Sequence, residues 1–152
     1  MGDELGLTNE RRHRADPRRR ADARWIHRPP MPWAAAERRH VPGTVEARLF
    51  AGLQRIAAAR RRLPMIHADV PLELPDPGNP HVFVCRRPHR RGDLVCVYNV
   101  TERAQRARLP PACPRWDHLG ERAIEIHDGG VMLGPYERWW LAPRDAGRGA
   151  AP

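Results

Sequence analysis

The sequence predicts a mainly β protein with an N-terminal helical segment. Three observations carry that reading. Apolar residues recur at three- and four-residue steps between about 44 and 63, then at every second position from about 65 onward. Seventeen Pro and twelve Gly interrupt the chain too often for a helical bundle. The first 32 residues follow neither period.

The opening "MGDELGLTNE" reads as a strand end running into a loop, with no strand ahead of it. "RRHRADPRRRADAR" is polar and Pro-interrupted, and Pro29, Pro30 and Pro32 remove donors and fix φ. On its own such a segment is expected to be disordered. Trp25, Met31 and Trp33 within it point instead to a long loop packed on another surface.

Residues 33–63 read as helical, with a short first piece, "WAAAERRH", broken at Pro42-Gly43. Thr44 is the expected N-cap and Glu46 sits in the first turn. Val45, Leu49, Leu53, Ile56 and Leu63 make one apolar stripe; Arg48, Arg55, Arg61 and Arg62 lie on the opposite face, and Pro64 ends the helix.

"HVFVCRR", "DLVCVYNV", "RARLP", "RAIEIHD", "GVML" and "ERWWLAP" are short strand candidates with the spacing of an antiparallel sandwich or barrel. "RPHRRGD" is a hairpin connection, and "HDGG" a tight turn with Gly129 and Gly130 free to take positive φ. The tail 144–152 reads as disordered.

The net charge of +9 and pI of about 11.1 suggest nucleic acid. Yet all 27 basic residues are Arg, beside abundant Ala and Pro, which reads as the coding bias of a GC-rich genome. Nucleic acid is therefore not the expected partner. No apolar run reaches bilayer length and no signal peptide is visible, so no membrane is expected and the location is read as cytoplasmic. Cys85, Cys96 and Cys113 lack metal-ligand spacing, so no metal and no cofactor are expected; Cys85 and Cys96 could face each other across a hairpin. Asn99-Val100-Thr101 matches a glycosylation sequon, which means little without secretion.

The strings "GDELGLTNE", "ARWIHRPPMPW" and "PGTVEARLFAGLQRIAAARRRLP" resemble the end of the catalytic barrel in amylosucrases, sucrose-cleaving members of the α-amylase superfamily (glycoside hydrolase family 13). "LVCVYNVTE" is similar to the strand and turn where that family carries Asn, an aromatic or aliphatic residue, then Ser or Thr. "LGPYERWWLAP" is similar to its closing strand. The resemblance implies three parts. Residues 1–63 would be the last loop and final helix of a (β/α)8 barrel, 64–143 an antiparallel C-terminal β-sandwich, and 144–152 the tail.

The resemblance also bears on chemistry. Retaining glycosyl transfer needs two carboxyl groups about 5 Å apart, and the family's catalytic motifs are not in this sequence. Asp3 and Glu4 are adjacent and expected to point apart, so no catalytic residue is assigned. Arg24 matches the Arg at the base of the family's sucrose pocket, where a planar fork suits a carboxylate partner from an earlier loop. Sucrose or an α-glucan would be bound only in the parent enzyme. The expected partners of this chain are the absent barrel, or a second copy through helix 44–63. A stand-alone α-glucan-binding β-module and an Arg-rich nucleic-acid binder are the alternative readings. Trp139 and Trp140 face opposite ways on a strand, so at most one could stack on sugar, and Trp116 is a weaker candidate.

Overall fold

The computed structural model describes residues 2–146. The described residues up to Ala57 form one compact unit, and those from Ala58 onward form a second. Among the described residues, no helix is long and apolar enough to cross a membrane.

In the first unit the opening is not a strand end. Asp3–Leu5 is a single 3-10 turn between Gly2 (φ 92°) and Gly6 (φ 70°). Two left-handed glycines bend the chain on either side of three residues, and the bend buries Leu5. A Cβ at Gly6 would lie 2.6 Å from Leu49 Cδ1, so the turn lies close against the apolar stripe at this point. Two further 3-10 turns, Arg12–Ala15 and Ala23–His27, follow.

Helix α1 (Trp33–Glu37) runs into the 3-10 turn Arg38–His40, and α2 spans Val45–Arg62. Thr44 caps α2 as expected, its hydroxyl oxygen accepting from the Ala47 amide at 3.2 Å. Gly43 (φ 85°) makes the break between the helices. Arg38 Nε donates to Glu46 in the first turn of α2 at 2.9 Å. The stripe is unevenly covered: Val45, Leu49 and Leu53 are 52%, 40% and 45% exposed, whereas Leu63, just past the helix, is 2% exposed.

The second unit is antiparallel β. Its strands are β1 (Val82–Arg87), β2 (Leu94–Asn99), β3 (Gln105–Arg108), β4 (Trp116–Asp117), β5 (Arg122–Ala123), β6 (Gly130–Leu133) and β7 (Arg138–Ala142). A five-stranded sheet has the order β1-β2-β7-β4-β5, and β3 pairs with β6 in a second sheet. Val84, Val97 and Leu141 of the first sheet share one core with Ala107, Val131 and Leu133 of the second. On the other face of the first sheet, Cys96 and Ala142 pack with Leu63, Met65 and Ala146. Strand β2 is thus covered on both faces, which is why its sequence is a continuous apolar run.

Four details differ from the sequence reading. "RAIEIHD" pairs only at Arg122–Ala123 and at the single bridge His127↔Gly130, because Ile124 and Ile126 turn into the core. Trp116–Asp117 is a strand that the apolar pattern does not announce. In "HDGG" the positive-φ residues are Asp128 (50°) and Gly129 (69°), while Gly130 already begins β6. Of the expected tail, Arg144–Ala146 form a turn with Ala146 buried, and residues 147–152 lie outside the described residues.

Two buried polar side chains hold the loops to the first sheet. Asn99 Nδ2 donates to the carbonyls of Arg103 (2.6 Å) and Gly134 (2.7 Å), and its Oδ1 accepts from the Thr101 amide at 2.9 Å. With its amide so engaged and buried, Asn99 is no glycosylation acceptor in the folded chain. The Asp117 carboxylate accepts from the amides of Leu119 (3.0 Å), Gly120 (2.9 Å) and Trp140 (3.0 Å). It closes the β4–β5 turn and ties β4 to β7 together.

Replacing Asn99 by Ala leaves several buried backbone groups without partners, at about 1–3 kcal/mol each. We expect urea denaturation of Asn99→Ala to give a loss of about 3 kcal/mol with an unchanged slope. A loss under about 0.5 kcal/mol would mean that water replaces the side chain without cost.

Candidate functional site

The strings "LTNE" and "RPPMP" come together in the first unit. Glu10 N–H donates to the Ile26 carbonyl at 2.8 Å, and the buried His13 places Nδ1 2.7 Å from the Glu10 carbonyl. Residues from Leu7 to Arg12 and Pro29, Pro30 and Pro32 then line a cavity of about 470 Å³. Its shape rests on backbone with fixed φ at three prolines, so it needs few side-chain contacts to persist.

Arg24 is not among the lining residues. It lies in the third 3-10 turn, and its guanidinium grips Asp22 through Nε and Nη2, both at 2.8 Å. The same carboxylate caps the turn, accepting from the Arg24 amide at 3.0 Å. The hydrogen bonds from Arg24 hold the Asp22 carboxyl down at about 2. Within this chain the planar fork holds the carboxylate two residues before it. The Arg24 side chain is 77% exposed. Nearby, Arg19 is bonded to Asp16 and stacks over Trp25 at 4.4 Å.

Asp3 and Glu4 share the first 3-10 turn; Asp3 is exposed and Glu4 half-buried. The tryptophans of β7 are both occupied. Trp139 is buried between the sheets and donates to Glu137 at 3.0 Å. Trp140, on the opposite face, donates to the Tyr98 hydroxyl at 2.8 Å. Burial works against charge on Glu137, but the Gly134 amide, the Trp139 indole and Arg122 outweigh it and keep its pKa below the usual carboxylate range.

In the second unit a groove of about 580 Å³ runs past Asp93, Arg115, Trp116 and Arg144. Arg144 lies over the Trp116 ring at 4.4 Å, so that indole face is already taken by a cation. Asp93 is held by Arg86, with Nε at 2.7 Å. The sequence makes Trp116 the weakest of the tryptophan candidates; Pro114, two residues before it, lines the same groove.

Residues 72–142 match the family model described as the amylosucrase C-terminal domain. Among solved structures, the chain is similar to maltogenic amylase from S. marinus, with a TM-score of 0.58 and 16% identity over 93% of this chain and 16% of that one. It is also similar to the trehalulose synthase MutB from Pseudomonas mesoacidophila MX-45, with a TM-score of 0.54 and 15% identity over 64% of this chain and 19% of that one. At such identities the likeness concerns the fold. This chain spans less than a fifth of the length of either.

The ion pair at Asp22 gives a pH signature. Because its folded pKa is lowered, the carboxylate stays charged through the range where an ordinary Asp, near 3.9, takes up its proton. Carboxyl-carbon NMR should place Asp22 at about 2, and Arg24→Ala should raise it part of the way toward the ordinary range, because the amide at position 24 still donates to it. An Asp22 that titrates normally in the unaltered chain would mean that the fork is not closed.

Proposed function

We propose that this chain, whose residues 72–142 match the amylosucrase C-terminal domain model, is the non-catalytic, structural part of a sucrose-cleaving α-glucosyl-transferring enzyme. In this reading the two facing sheets are the C-terminal β-sandwich. Helix α2 is the last helix of a (β/α)8 barrel, and the loop before it belongs to the barrel's active-site face. The enzyme as a whole would cleave sucrose, hold glucose as a glucosyl-enzyme intermediate, and pass it to an α-glucan or to water. A MutB variant solved with its substrate sucrose gives this substrate class a structural relative.

The observation that carries the proposal is the uneven stripe of α2. Leu63 is covered by the sheet cluster, but Val45, Leu49 and Leu53 stay 40–52% exposed, with Trp33 and Val41 also exposed. Burying such a side chain fully is worth about 1.5–3 kcal/mol. A regular apolar row left half in water fits a surface shaped for a neighbour, and a catalytic barrel is the neighbour proposed here. A second copy of the chain would cover the same row when no barrel is present.

The carboxylates support a non-catalytic role. Asp22, Glu46, Asp93 and Glu137 are each bound to an arginine, and Asp117 is bound to three amides. None of these five is left as half of an acid/base and nucleophile pair. The engaged indoles of Trp139 and Trp140 weaken the glucan-module reading. Arg24 is proposed as the pocket residue, since Nε and Nη2 hold Asp22 and the exposed guanidinium has a further edge to offer a sugar hydroxyl.

Two measurements test this. The purified chain should release no fructose from sucrose above a buffer control, and sustained turnover abolished by a substitution within this chain would overturn the assignment. The chain should also self-associate or bind a hydrophobic dye, and Leu49→Glu with Leu53→Glu should make it more soluble while its β signal persists. A well-behaved monomer that the double variant unfolds would mean that the stripe is packed within the chain.

A further inference from the structure

Cys85 and Cys96 occupy opposed positions on β1 and β2. Both Arg86 backbone groups pair outward with Glu73, the carbonyl accepting at 2.8 Å and the amide donating at 2.9 Å. Alternation then turns the backbone groups of Cys85 toward β2, so Cys85 and Cys96 form a hydrogen-bonded antiparallel pair. Such pairs have Cα atoms about 5.5 Å apart, inside the 4.4–6.8 Å span that a disulfide tolerates. Their side chains emerge on the same face of the sheet, and both are free cysteines.

The two sulfurs differ in access. Cys96 is buried in the cluster with Met65 and Ala142, whereas Cys85 is half-buried on the outermost strand of its sheet. Arg87 lies two residues along β1 on the same face. Its Nη2 donates to the carbonyls of His67 (2.6 Å) and Val70 (2.8 Å), while its buried Nε has no acceptor. A guanidinium with a spare donor therefore lies near the more accessible thiol.

We propose that Cys85 and Cys96 are a peroxide-oxidation site in which Cys85 is attacked first and Cys96 resolves it into a cross-strand disulfide. In the first step the Cys85 thiolate sulfur takes one oxygen from the peroxide, whose O–O bond breaks; for hydrogen peroxide the other oxygen leaves as water after taking up a proton. In the second, the Cys96 sulfur displaces hydroxide from the Cys85 sulfenic acid, and that hydroxide leaves as water with the Cys96 proton. Two thiols lose two electrons in all, and the peroxide gains them. The Cys96 hydrogen bond and the Arg87 charge lower the Cys85 thiol to about 7 against the opposing effect of burial, while the same contact and burial push Cys96 up. That ordering suits an attacking thiolate paired with a protonated resolving thiol.

The bond would form under strain, because a hydrogen-bonded pair sets its Cβ atoms toward the far end of the cross-strand range. Directly opposed Cβ atoms lie about 4.5–5.5 Å apart, whereas a disulfide wants about 3.5–4.5 Å. Closing it pulls the edge strand inward, and a strained bond of this kind is readily reduced. Cys113 plays no part: burial pushes its thiol up to about 12, and it lies outside both strands.

The test treats the whole chain with one equivalent of hydrogen peroxide, counts thiols, and maps the products by mass spectrometry after trypsin. Two of the three thiols should be lost, with the Cys85 and Cys96 peptides joined and separated again by dithiothreitol. Cys113→Ala should give the same linked pair. Cys85→Ser should slow the oxidation of Cys96 at least tenfold, and Cys96→Ser should leave Cys85 as a sulfenic or sulfinic acid; circular dichroism checks that each variant is folded. Retention of all three thiols, a link to Cys113, a link between chains, or independent oxidation of each cysteine would overturn the proposal.

Discussion

The side chains of β2 divide between two apolar clusters, Val95 and Val97 on one face and Leu94 and Cys96 on the other. A strand buried on both faces cannot slip by one residue without exchanging its two sets of neighbours. That constraint fixes the register of β1 and β7 on either side of it, and through β7 the register of β4. It also explains why one face must be covered by the second sheet and the other by Leu63, Met65 and Ala146. Apolar coverage on both sides gives this unit its core, and its cysteines are free.

Buried polar groups complete what the apolar clusters begin. Asn99 and Asp117 each join chain segments far apart in sequence, and each does so with side-chain atoms bonded to main chain. Their partners are amides and carbonyls of turns and, for Asp117, the Trp140 amide of β7. The first unit uses a different economy. Its 3-10 turns satisfy their amides within two or three residues, and Asp16 and Asp22 act as local caps whose arginines are close by in sequence.

Much of the second unit was legible because alternation and turn residues agree. Strands β1, β2, β3, β6 and β7, the Thr44 cap and the opposition of Cys85 to Cys96 all follow from local pattern. Trp116–Asp117 was not, because its pairing depends on a carboxylate meeting the amide of Trp140, 23 residues away. The opening turns were missed because 3-10 geometry in a polar, Pro-rich stretch has no apolar period. The Arg24–Asp22 pair could have been read from the Asp-Ala-Arg spacing, since an Asp just before a helical turn commonly caps it. Strand existence was visible where side chains alternate. Loop geometry was hidden where single hydrogen bonds decide it.

The central claim is that the described residues from Ala58 onward close their own core around β2, while the exposed row on α2 is shaped for another surface. Hydrogen exchange on the whole chain, resolved by peptide, tests both halves at once. The account predicts that the amides of β2 and β7 exchange slowest and together, through global unfolding, while those over residues 45–53 exchange orders of magnitude faster in the isolated chain. Equal protection of residues 45–53 and of β2, at a concentration where the chain is monomeric, would contradict it.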